Sequence, residues 1–107
     1  MSLREIPIAC FLTDKQLQAR RRDYLDKIVA VLVDFEELEN GFSYRFPFQE
    51  NILQDLAEII DLERRCCPFL NFKLTTEAGN DFVSLELTGR EGAKETIDSL
   101  FEWNKSL

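Results

Sequence analysis

The chain has 107 residues, enough for one small domain with its own core. Its apolar fraction of 45 %, with nine Phe, excludes disorder, and its net charge of −7 (thirteen basic against twenty acidic residues) excludes general nucleic-acid binding. Histidine is absent, which removes Ser-His and Cys-His catalysis and every His-containing metal site. No apolar run reaches membrane-spanning length and the N-terminus carries no signal-peptide core, so no membrane partner and a cytoplasmic location are expected. Thiols there stay reduced, and three cysteines, an odd count, argue against a disulfide framework.

In chain order, Ile6 to Phe11 form a short apolar run that reads as an N-terminal strand, with Pro7 favouring an edge or a strand start. Thr13-Asp14-Lys15-Gln16 matches a capping box with Thr13 as N-cap, and a helix follows to about Ala30. Leu17, Tyr24, Leu25, Ile28 and Val29 share its apolar stripe. Arg20, Arg21 and Arg22 fall off that stripe, among Asp14, Asp23 and Asp26, and read as a solvated face.

From Leu32 the period becomes two. Asn40-Gly41 predicts a type I′ hairpin turn, which needs positive φ at both central residues. That turn sets Phe46 opposite Phe35 and Arg45 opposite Glu36, the first pair on a core face and the second on a solvent face. A second helix starts near Asn51 and carries Ile52, Leu53, Leu56, Ile59, Ile60 and Leu62. Pro68 disfavours helical geometry at Cys67, so this helix ends near Arg65 or Cys66. A second hairpin turns at Gly79-Asn80, with Leu74 opposite Leu85 and Lys73 opposite Glu86. Gly89 to Gly92 form a loop, and a last helix turns Ala93, Ile97, Leu100 and Phe101 inward, with Trp103 near its end.

The order βα-ββ-α-ββ-α predicts a single α+β domain over residues 1–107. Two hairpins and the short N-terminal strand form an antiparallel sheet, with helices on one face.

The chemistry concentrates at the junction Glu63-Arg64-Arg65-Cys66-Cys67-Pro68-Phe69-Leu70. Cys10, three residues before the expected cap, sits where a helix N-terminus favours a thiolate. Cys66 and Cys67 sit at a helix C-terminus, where the dipole opposes one and the two arginines favour it. Three thiols without histidine suit a soft ion such as Cu(I), Hg(II) or As(III), and Cys10, Cys66 and Cys67 are the candidate metal ligands. A structural zinc site wants four ligands at CxxC-like spacing, which is absent. Adjacent cysteines also form vicinal disulfides, so a redox switch is a related reading. Packing alone accounts for the same residues, because cysteine is among the most buried residue types and the Leu56, Ile59, Ile60 stripe runs into the pair. Asp55, Glu58, Asp61 and Glu63 read as surface ion-pair partners, Asp61–Arg65 foremost, rather than as acid/base groups. Phe82 and Tyr44 stand as candidate exposed aromatics on the hairpins.

At Glu63 to Phe72 the chain resembles a family of small bacterial proteins that share an acidic-basic helix end, a Cys-Cys pair, an aromatic and then a strand. The likeness extends to Ile8-Ala9-Cys10, to Asn40-Gly41-Phe42 with Arg45-Phe46-Pro47, and to Leu87-Thr88-Gly89 with Gly92-Ala93-Lys94. The resemblance implies a bacterial origin, a cytosolic setting and a loose association with heavy-metal or metalloid response. It assigns no reaction, and no residue role beyond marking the three cysteines.

The expectation is therefore a small accessory protein, more readily a non-enzyme than an enzyme, that binds a soft metal or metalloid through Cys10, Cys66 and Cys67. The alternative is a non-catalytic interaction or homodimerisation domain whose cysteines belong to the core. A thiol redox enzyme comes third, since the chain has neither CxxC nor histidine to tune a nucleophile.

Overall fold

The computed structural model describes residues 14–101, with side chains to residue 98. The expected N-terminal strand, Cys10 and Thr13 lie outside the described residues, as do Trp103 and the side chains of Leu100 and Phe101. Three helices and four strands follow one another: α1 (Lys15–Val29), β1 (Asp34–Leu38), β2 (Gly41–Pro47), α2 (Ile52–Cys66), β3 (Asn71–Thr76), β4 (Phe82–Thr88) and α3 (Ala93–Phe101). This is the expected α+β order from the first helix onward.

The sheet is antiparallel, in the order β1-β2-β4-β3, so the two hairpins join through their second strands. Alternation sends Phe42, Tyr44 and Phe46 of β2 and Val83, Leu85 and Leu87 of β4 to one face, where all six are buried. The helices supply Leu25, Ile28, Ile52, Leu56, Ile59, Ala93 and Ile97 to the same core. The opposite face is polar, with Ser43, Arg45, Ser84 and Glu86. Tyr44 is fully buried, which removes it from the candidate partner-binding aromatics.

Two helix ends refine the expectation. Asp14, rather than Thr13, is the N-cap of α1: its carboxylate accepts from the Gln16 and Leu17 amides at 2.8 and 3.1 Å. Asn51 precedes α2 in the left-handed region, at φ 67°, without a side-chain cap.

The first hairpin departs from the expected turn. Leu38 pairs with Gly41, so Glu39 and Asn40 form the two-residue loop and neither central residue has positive φ. Phe35 then faces Tyr44, and Asp34 faces Arg45, a slip of two residues from the expected register. A slip of two preserves which face each side chain occupies. Charge complementarity survives as well, because the Arg45 guanidinium donates to both Asp34 oxygens, with Nε at 2.6 Å from Oδ1. The cause lies outside the hairpin. Gly41 sits against β4, where an added Cβ would stand 1.9 Å from the Leu87 carbonyl oxygen. Glycine is required there for close strand approach rather than for the turn.

The second hairpin has the expected register, with Leu74 opposite Leu85 and Lys73 opposite Glu86. Its turn closes one residue earlier than expected. The Asn80 amide donates to the Glu77 carbonyl at 3.1 Å, and Gly79 supplies the positive φ of 77°.

Candidate functional site

α1 and α2 run antiparallel, shown by the pairs Arg21–Glu63 and Lys27–Asp55, with Arg20–Glu58 between them along α2. Along α2 the inward positions are Ile52, Leu56, Ile59, Glu63 and Cys66, spaced three and four apart. A glutamate therefore occupies a core position. Glu63 is 0 % exposed, which overturns its reading as a surface ion-pair partner; Asp61–Arg65 does form on the surface, at 3.4 Å.

Arg21 accounts for the buried carboxylate. Its side chain is 12 % exposed, and its Nε donates to Glu63 Oε1 across the helix pair. The expectation of a solvated arginine run holds for Arg20 and Arg22 and fails at Arg21. A buried carboxylate without such a partner would be several kcal/mol less favourable, on the order of 3–5.

α2 stops at Cys66, as Pro68 predicts. Cys67 leaves the helix at φ −125°, and its amide donates to the Glu63 carbonyl at 2.5 Å. This last turn brings the Cys67 side chain back over Glu63, where Sγ donates to Oε2 at 3.8 Å. Both cysteines are 0 % exposed.

Electrostatics follow from burial. Removal from water pushes the Cys67 thiol up to about 12, the Glu63 charge adds to the rise, and Arg21 opposes it. Burial likewise raises the Glu63 carboxyl, and the Arg21 contact offsets part of that. Cys67 in the resting protein is thus a neutral thiol, not an activated nucleophile.

One ligand atom from each of Glu63, Cys66 and Cys67 lies within 4.8 Å of the others. Two sulfurs on one centre, each about 2.3 Å from it, stand at most about 4.6 Å apart, so the cluster is close to the span that one ion bridges. Cys66 is disulfide-bonded, contrary to the expectation of reduced thiols, and Cys67 is free, so the adjacent pair is not bridged to itself. In this form Cys66 offers no thiolate; with Cys66 reduced, the cluster presents two sulfurs and one carboxylate that could hold an ion.

The structure therefore brings together Cys66 and Cys67 of the three candidate ligands, while Cys10 lies outside the described residues. It adds Glu63 and Arg21, which the sequence reading assigned to the surface. One signal was present for Glu63: it continues the stripe of Ile52, Leu56 and Ile59 at helical spacing. A groove of about 560 Å³ passes the outer side of the junction at Arg64, Arg65, Pro68 and Phe72, but neither cysteine lines it. No helix among the described residues is long and apolar enough to cross a membrane. No protein-family model, curated protein or solved structure matches the chain.

Proposed function

We propose that the chain is a small non-enzymatic protein that binds one soft, thiophilic ion through Cys66 and Cys67, with Cys10 as the third sulfur. The observation that carries this reading is the convergence of Glu63, Cys66 and Cys67 at the end of α2. Thiolates select Cu(I), Hg(II) or As(III) over Mg or Ca, and the absence of histidine leaves sulfur as the characteristic donor. Cys10 precedes the Asp14 cap by four residues, a reach of about 13 Å in extended chain. The antiparallel packing of α1 on α2 turns that cap toward the end of α2. The high affinity of an ion for thiolate releases the Cys67 proton that burial otherwise retains.

With arsenite the step is As(OH)3 plus three thiols giving the tris-thiolate and three waters. Native mass spectrometry of phosphine-reduced protein tests it. The reading predicts a one-to-one adduct that disappears when all three cysteines are changed to Ser. An adduct that survives those changes refutes it.

A second reading rests on the complete burial of Cys66 and Cys67. The cysteines then serve as core, and the chain is an interaction domain for a second copy or another protein. This reading predicts that Cys67 reacts with a labelling reagent only after denaturation; rapid labelling of native protein counts against it.

A further inference from the structure

The sheet order β1-β2-β4-β3 leaves two edges, and the edges differ in charge. β1 carries Asp34, Glu36 and Glu37. β3 carries no acidic residue and presents Lys73, whose partner Glu86 stands 3.9 Å away across the hairpin. Among the described residues β3 pairs only with β4, so one row of its backbone N–H and C=O groups is open to another strand. The groove of about 560 Å³ at the end of α2 continues into this edge, since its lining runs from α2 through Pro68 to Phe72. Ile60, Leu70 and Phe72 give it an apolar side, and the exposed Arg64 and Arg65 give it cations. Asp61 also lines it, with its carboxylate engaged by Arg65 at 3.4 Å, whereas Arg64 has no ion pair among the described residues.

We propose that this groove docks an acidic, extended segment of a partner protein, which adds to β3 as a further strand of the sheet. Strand addition supplies main-chain hydrogen bonds along β3, and alternate side chains of the added strand face the groove. An apolar side chain there rests against Ile60 and Phe72, and a carboxylate reaches Arg64. The net charge of −7 selects against nucleic acid and makes the two arginines an island of positive charge. At physiological ionic strength the Debye length is about 8 Å, so an anion in the groove is attracted by its arginines while distant carboxylates are screened. β1 offers no equivalent, because its acidic residues repel the same peptide. Docking extends the interaction reading above by naming a surface and a partner chemistry. It stands whether or not an ion binds, since neither cysteine lines the groove.

The test uses the full chain and a fluorescein-labelled peptide of alternating Val and Glu, matched to the six residues of β3 and followed by fluorescence anisotropy. The expected result is saturable binding that weakens at least about 5-fold in Arg64→Glu, the scale of one exposed ion pair lost. Replacing Glu by Gln in the peptide should weaken binding as much, and makes the comparison without altering the protein. Methylating alternate peptide amides separates an added strand from a simple anion. Methylation in one phase should abolish binding and in the other phase spare it, because only every second amide of an added strand points at β3. Equal binding by both phases overturns the proposal, as does complete displacement by inorganic phosphate, which would mark an anion subsite alone. Light scattering that shows a dimer of the chain, dissociated by Arg64→Glu, assigns the groove to a second copy and overturns the partner peptide. A peptide that does not bind overturns the docking proposal alone, while thiol labelling still decides the core-cysteine reading.

Discussion

Arg21 and Glu63 carry the least expected interaction in the molecule, an ion pair joining α1 to the core side of α2. Substituting Arg21 by Met leaves a carboxylate buried without its cation, and a loss of about 3–5 kcal/mol in urea unfolding is predicted. Replacing both residues, as Arg21→Met with Glu63→Leu, should recover most of that loss, because an apolar pair of similar volume has no desolvated charge. A double variant as unstable as the single one would show that packing at Arg21, not charge, is decisive. Cys67 gives a pH prediction. Below pH 9 its thiol is protonated in folded and unfolded chains alike. From 9 to about 12 the unfolded chain has lost a proton that the folded chain keeps, so stability falls as pH rises through that window. The contribution approaches ~1.4 kcal/mol per pH unit above pH 9, and Cys67→Ala should flatten the stability profile of the oxidised protein between pH 9 and 10. Above pH 10 the buried Tyr44 hydroxyl, also raised by burial, adds a loss of the same sign.

At the scale of elements, the two hairpins explain what the sequence could convey. Lys73, Leu74, Leu85 and Glu86 predicted their partners because the alternation on both strands sets the register, even though the turn itself closes one residue earlier than Gly79-Asn80 suggests. Asn40-Gly41 misled because its glycine answers to β4, nearly fifty residues away, and not to its own turn. Close approach between non-consecutive strands leaves no local pattern. Two substitutions separate the roles. Gly41→Ala forces a Cβ onto the Leu87 carbonyl oxygen and should cost about 1–3 kcal/mol or more by thermal unfolding, as overpacking does. Gly79→Ala meets no atom within 4 Å but keeps φ at +77°, so its cost should stay at about 1–2 kcal/mol. Equal and small effects would place Gly41 outside the strand contact. The same contrast applies to α2: its apolar stripe and its end at Pro68 were legible, whereas the burial of Glu63 depends on α1 packing across it.

For the whole molecule, the α+β order of helices and hairpins from α1 onward was readable because the hydrophobic period marks each described helix and strand, while the turn residues located each hairpin to within a residue. The sulfur chemistry was only half readable. Adjacent cysteines at a helix end are visible in sequence, but their orientation toward one carboxylate and the disulfide at Cys66 depend on tertiary packing. Ion binding to the folded state should stabilise the reduced protein by about 2.7 kcal/mol at a free ion concentration of 100 Kd. Thermal unfolding with and without arsenite should therefore show a higher Tm for reduced protein and little change for oxidised protein. The most direct measurement is X-ray absorption at the arsenic edge on arsenite-loaded, phosphine-reduced protein. The account predicts a first shell made of sulfur, reduced in number by Cys66→Ser or Cys67→Ser. A shell made of oxygen, or a sulfur shell untouched by both substitutions, would contradict it.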